Sequence, residues 1–236
     1  MIIFLKSIKK ICLDLLFPIS CLGCSKENVW LCDNCLNNIP LNQKFTFPQA
    51  EEFFNSDPSY QNNTSFNLDG ALIASSYENI LLNKTIKTFK YNFIFNLSNP
   101  LGKILINFLN QFDFKNKSLE NFLLIPIPLH QKRLIWRDFN QSELLAKEIG
   151  NFFGVEVNSE ILERIKNTSP QTELNEKERK SNIKDIFVCL DKNAIKNKKI
   201  ILIDDVFTTG STLNEAAKTL KKSGAKEVWG LVLARG

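Results

Sequence analysis

The sequence predicts an α/β protein, a parallel sheet flanked by helices, with a small N-terminal module built on four cysteines. Three observations predict it. Aliphatic runs at Ala71 to Tyr77, Phe122 to Pro128, Ile200 to Ile203 and Glu227 to Ala234 alternate with longer segments of helical periodicity. Continuous apolar runs of that kind suit strands covered on both faces. The last two runs enclose a helix whose Leu213, Ala216, Ala217 and Leu220 recur at helical spacing, so the C-terminal segment reads as one β-α-β unit. Near the other end, Cys21, Cys24, Cys32 and Cys35 form two C-x-x-C pairs separated by seven residues.

With 236 residues the chain is long enough for one full α/β core and a small appendage. Its 44% hydrophobic and 23% charged content exclude a disordered chain. A net charge of +5 is compatible with anionic ligands or nucleic acid and does not choose between them. No run of 18 apolar residues exists, so no membrane span is expected.

In Met1 to Leu16, Lys6, Lys9, Lys10 and Asp14 interrupt the apolar residues, and no small-residue cleavage site follows. A secretory signal is not expected, and the sequence points to the cytoplasm. Phe4, Ile8, Ile11 and Leu15 share one helical face that Pro18 terminates, which suits a helix docked on its own core, with membrane-surface binding as the alternative.

Six cysteines, four of them in tight pairs, favour a metal site over a disulfide framework. Four thiolates at this spacing close a tetrahedral structural zinc site, and Gly23 eases the turn between the first two. Redox chemistry is the competing reading, but it needs only one pair beside a thioredoxin-like strand and helix. Cys12 and Cys189 have no partner in sequence and read as small apolar residues.

Residues 42–67 turn polar, rich in Asn, Ser, Gln and Phe, and mark the best boundary. The expected division is 1–41 for the N-terminal helix and cysteine module, 42–67 for a linker or irregular insertion, and 68–236 for the α/β domain. After the first strand two helices follow, the second with Leu101, Ile104, Leu105, Phe108, Leu109 and Phe112 on one face. The strand from Phe122 ends in Pro126 and Pro128, which forbid ladder bonds. A loop with Lys132, Arg133 and Arg137 then precedes Asn140, Gln141 and another helix. Arginine forks there match phosphate oxygens, although charge alone equally describes a solvated basic face. His130, the single histidine, reads as a surface hydrogen-bonding residue. The polar segment from Arg164 through Gln171 to Arg179 is either a lid or a plain surface loop.

The most informative stretch is Lys199 to Thr212. Asp204 and Asp205 follow the strand, where the cheap explanation for paired acids is the mouth of a crevice. Thr208, Thr209, Gly210, Ser211 and Thr212 then make a small, hydroxyl-rich turn into a helix. Backbone N–H groups at a helix N-terminus favour a phosphate, and Gly210 permits close approach. The bland alternative is an ordinary turn with a serine or threonine N-cap.

Ile200 to Thr212 resembles the phosphoribosyl pyrophosphate (PRPP) motif of the type I phosphoribosyltransferases: hydrophobic strand, two acids, two variable residues, then Thr-Thr-Gly-x-Thr. The chain as a whole resembles the ComF (competence protein F) family of amidophosphoribosyltransferase-like proteins. The likeness runs through the four cysteines, Lys90-Tyr91, Pro126-Ile127-Pro128-Leu129, Arg133, Phe139-Asn140-Gln141, Arg164, Pro170-Gln171-Thr172, Glu178-Arg179, Asn182 and Phe187. It implies a type I phosphoribosyltransferase core, with Asp204 and Asp205 on the ribose hydroxyls and Thr208 to Thr212 on the 5-phosphate. Lys132, Arg133, Arg137, Arg164 and Gln171 would form the pyrophosphate loop and lid, with magnesium held mainly by the ligand's own oxygens. Two departures stand out. Asp138 occupies a position where many relatives carry glycine, and 42–67 lacks the further cysteine pairs of many relatives. The chain begins Met1-Ile2, without the N-terminal nucleophilic cysteine of a glutamine amidotransferase.

The resemblance implies a PRPP-binding phosphoribosyltransferase with a role in DNA uptake and natural transformation, acting with competence proteins. The rival is a non-catalytic adaptor that senses PRPP or binds single-stranded DNA. The acceptor is open, and an oligomer is compatible with the sequence.

Overall fold

The computed structural model describes residues 19–43, 67–112, 122–167 and 184–236. The expected N-terminal helix, Cys12, nearly all of the 42–67 segment and the stretch holding Gln171 and Arg179 lie outside the described residues.

Four strands form the sheet: β1 (Gly70–Ser76), β2 (Phe122–Pro126), β5 (Lys199–Phe207) and β6 (Glu227–Arg235). Their order is β1-β6-β5-β2, and every pairing is parallel. A second, two-stranded antiparallel sheet pairs β3 (Leu162–Arg164) with β4 (Phe187–Cys189). The helices are α1 (Asp33–Asn37), α2 (Ile80–Tyr91), α3 (Ser98–Asn110), α4 (Gln131–Arg137), α5 (Gln141–Phe153) and α6 (Ser211–Lys222).

Side chains alternate across the sheet, as a period of two requires. Leu72, Ala74, Leu124, Ile201, Ile203, Leu231 and Leu233 join one core with α2, α3 and α5. Ala71, Ile73, Leu123, Ile125, Ile200, Leu202, Val228 and Val232 join the other with α6 and the β3–β4 pair. Burial on both faces is why these strands read as unbroken aliphatic runs. The helix before β5 and the helix after it lie on opposite faces, so a crevice opens at the carboxyl end of β5.

Several details differ from the sequence reading. The basic loop is a two-turn helix, α4, started by His130, whose Nδ1 accepts the Lys132 N–H at 3.2 Å. Its C-cap, Asp138, has φ +67°, the left-handed region that glycine occupies without cost, which gives the glycine of the relatives a physical reason. Pro126 stays in register with Ile203, because β2 is a sheet edge and the Ile127 N–H carries the ladder one residue further. The paired acids lie inside β5, Asp204 opposite Val232. Phe112 falls beyond the end of α3.

The cysteine module packs on the α2–α3 side. Leu31, Leu36 and Ile39 join the same core as Leu82, Ile86 and Leu105. Lys84 Nζ donates to the Leu22 carbonyl at 2.9 Å, and Asn42 bonds the β1 backbone at Ala74 and Ile73.

Candidate functional site

Six elements converge on a cleft of about 320 Å³ at the carboxyl end of β5. The strand supplies Asp204 and Asp205. Asp205 is almost fully buried, and its Oδ1 accepts Lys90 Nζ of α2 at 2.8 Å. Oδ2 of Asp205 has no hydrogen-bond partner among the described residues. Asp204 Oδ1 accepts the Ser142 hydroxyl at 3.0 Å and the Asp205 N–H at 2.9 Å.

Ser142 is placed by the first turn of α5. Asn140 caps that helix, its Oδ1 accepting the Ser142 N–H at 3.1 Å while its Nδ2 donates to the Ile127 carbonyl at 3.1 Å. The capping residue therefore ties the helix start to the end of β2.

Burial pushes the Asp204 carboxyl up to about 7, reinforced by the Asp205 charge and opposed by Lys90, the Asp205 N–H and Ser142. Burial acts to lower Lys90, but the Asp205 charge and hydrogen bond outweigh it and Lys90 is held above its ordinary range. Burial lowers Arg164 to about 10, with repulsion from Arg133 adding to the effect.

The turn after β5 ends in Gly210 at φ +65°, which is the N-cap of α6 and makes no side-chain cap bond. Gly210 thus stands where a serine or threonine cap would, and the Ser211 N–H meets Thr209 Oγ1 only at 3.5 Å. A Cβ on Gly210 would lie 2.3 Å from Cζ of Phe207. Thr209 Oγ1 and Ser211 Oγ are 2.8 Å apart, which knits the turn, and no acidic residue occupies the first helical turn. The result is a cluster of N–H donors at the positive end of a 12-residue helix.

Of the residues singled out in the sequence, Asp204, Asp205, Thr208, Gly210, Ser211, Thr212, Arg133 and Arg164 line this cleft. Thr209 sits within the turn. Lys132 is exposed and is not among the lining residues, and Arg137 is buried with its guanidinium 5.8 Å from the Tyr91 ring centroid. Lys90, Ser142, Tyr77 and Gln141 also line it, and sequence reasoning gave none of them a role. The signal for Lys90 was present, since it follows Ile86 by four residues on the buried stripe of α2.

Away from the cleft, the Sγ atoms of Cys21, Cys24, Cys32 and Cys35 all lie within 4.8 Å of one another. Cys24 and Cys32 are 3.7 Å apart, close to the ~3.8 Å edge of a tetrahedron with ~2.3 Å zinc–sulfur bonds. A Cβ on Gly23 would approach Cys35 Sγ to 2.8 Å, so the glycine is a steric requirement of the cluster. Burial opposes ionisation of Cys21, yet the N–H groups of Cys32, Cys24 and Gly23 bring it down to about 6. The donor set fits zinc.

The phosphoribosyl transferase domain model matches residues 142–236. Competence protein F of Haemophilus influenzae is 40% identical over 114 residues, 47% of this chain and 50% of that protein. Competence protein ComFC of Streptococcus pneumoniae is 30% identical over 154 residues, 65% of this chain and 64% of that one. The chain is similar to these two competence proteins over 50% and 64% of their lengths. The DNA utilization protein YhgH of Escherichia coli is 34% identical over 108 residues, 45% of this chain and 47% of that protein. The matched segment thus spans about half the length of the Haemophilus and Escherichia proteins. As in the resemblance read from the sequence, the ComF likeness goes with a type I phosphoribosyltransferase fold. Among the described residues no helix is long and apolar enough to cross a membrane.

Proposed function

We propose that the cleft binds PRPP with magnesium and transfers its phosphoribosyl group to an acceptor. The observation that carries this reading is the glycine-capped N-terminus of α6, set beside two adjacent carboxylates in one cleft with Arg133 and Arg164. A sugar phosphate needs that combination: N–H donors for the phosphate, acceptors for the hydroxyls, and guanidinium forks for a second phosphate group. The Thr208–Thr212 turn takes the 5-phosphate, and Asp204 and Asp205 take the ribose hydroxyls. Arg133 and Arg164 face the pyrophosphate, and Gln171 is assigned to the lid.

Transfer breaks the bond from the sugar carbon to pyrophosphate and makes one from that carbon to the acceptor, whose proton is lost. Positive charge develops on the sugar ring and negative charge on the leaving oxygen. Arg133 and Arg164 stabilise the second, and the acid pair lies on the side of the first. The buried, unpartnered Asp205 Oδ2 fits either a ligand hydroxyl or a cation. Magnesium bound with the ligand would neutralise the pyrophosphate oxygens, held by those oxygens, water and the acid pair. The cysteine cluster holds a structural zinc.

The names of the relatives point the same chain toward DNA uptake, and they favour one alternative, a non-catalytic adaptor that senses PRPP or binds single-stranded DNA. Calorimetry with PRPP at millimolar magnesium tests the site: binding is expected, and should vanish when Asp204 and Asp205 are both alanine. An absence of wild-type binding refutes the assignment. Pyrophosphate release with a screened acceptor identifies an enzyme. A salt-sensitive DNA affinity that survives the double substitution identifies an adaptor.

A further inference from the structure

The two adjacent acids are held by different means. Asp204 is fixed by neutral donors, the Ser142 hydroxyl and a backbone N–H, whereas Asp205 is fixed by a charge, Lys90. Lys90 lies on the buried stripe of α2, one turn beyond Ile86, and its ammonium reaches the cleft from the side opposite α6. Its side chain is 19% exposed and that of Asp205 5%.

Placing an ammonium there costs desolvation, which a structural role would rarely justify. Apolar packing at this helix position would serve the core at least as well. The pair does two things that an apolar residue could not. With Oδ1 engaged at 2.8 Å, the carboxylate is held in one orientation and Oδ2 is left without a partner among the described residues. The ammonium also offsets one of two carboxylates in a cleft whose other lining cations are Arg133 and Arg164. A polyanion approaching two uncompensated acids would be repelled.

We infer that Lys90 is a positioning residue for the sugar-phosphate ligand, holding Asp205 so that Oδ2 receives a ribose hydroxyl and cancelling the charge that would repel a polyanion. The inference rests on the PRPP reading. It assigns Lys90 no contact with the ligand: the lysine acts through Asp205.

The test is a double-substitution cycle read by calorimetry with PRPP and magnesium, with folding checked by circular dichroism and thermal melting. Lys90→Met should weaken PRPP by about 30-fold, the size of a lost charge-assisted hydrogen bond. Lys90→Arg, which keeps the charge and the reach to Asp205, should stay within about 5-fold. In an Asp205→Asn background the methionine substitution should change affinity by less than about 3-fold, because the group it acts through is gone. Additive losses would overturn the inference, and so would unchanged affinity in Lys90→Met. If the methionine variant does not fold, the arginine variant decides: a loss of about 30-fold there overturns the inference. A wild type that binds PRPP with any of these outcomes leaves the reading of the cleft standing. A wild type that binds none ends both.

Discussion

Replacing Asp204 by asparagine should stabilise the ligand-free protein at alkaline pH and remove part of its pH dependence. The folded protein raises this carboxyl from 3.8 to about 7, so between those values the folded chain holds a proton that the unfolded chain has released. Stability from this group is therefore present at low pH and is lost as pH rises through about 7. From pH 5 to 7 the change spans two pH units, about 2.7 kcal/mol at ~1.36 kcal/mol each. Asp204 keeps some exposure to the cleft, and solvent there reduces the expected effect to about 1.5 kcal/mol. For a chain of this size that is a melting shift of about 3–6 °C. The assay is urea or thermal unfolding of wild type and variant side by side at pH 5 and 8.5, without ligand. Asparagine keeps the shape and can still accept from Ser142, so the comparison isolates the charge. The variant should gain on the wild type at pH 8.5 relative to pH 5. An equal difference at both values would refute the argument that burial and Asp205 disfavour the ionised form. The charged acid is a local cost that a ligand hydroxyl or cation would relieve, so stability is given up for binding.

Other outcomes follow from the same geometry. Gly210→Ala should cost about 1–3 kcal/mol in unfolding experiments and abolish PRPP binding, since φ +65° and the Phe207 ring both oppose a Cβ. Asp138→Gly should raise stability by about 0.5–1 kcal/mol in the same experiments, because the C-cap of α4 is left-handed and exposed. Metal analysis should return about one zinc per chain. Cys32→Ser should lose it and lower the melting temperature; a wild type with no zinc would refute the site.

Much of the fold was legible because its signals are local. The strands are continuous aliphatic runs since both faces are covered, and α6 announces itself through Leu213, Ala216, Ala217 and Leu220, all buried. The acids and the glycine turn were legible for the same reason, being consecutive in sequence. What the sequence hid depends on contacts between distant segments. Lys90 and Asp205 are far apart along the chain, and only the packing of α2 on the sheet brings them to 2.8 Å. Ser142 looked like any residue near a helix start until Asn140 tied that start to β2. Lys132 and Arg137 looked equivalent to Arg133 in a list of basic residues. In the folded chain Lys132 is exposed, Arg137 is buried against the Tyr91 ring, and of the three only Arg133 lines the cleft.

Helix α2 also serves two distant places at once. Its N-terminal half meets the cysteine module through Lys84 and the Leu22 carbonyl, with Leu81 close to Gly23, while Lys90 near its other end grips Asp205. Six residues of helix, about 9 Å, separate the two lysines. The cysteine module therefore works as a footing for the strut that carries Lys90. Losing zinc should loosen PRPP binding even though no cysteine lies in the cleft.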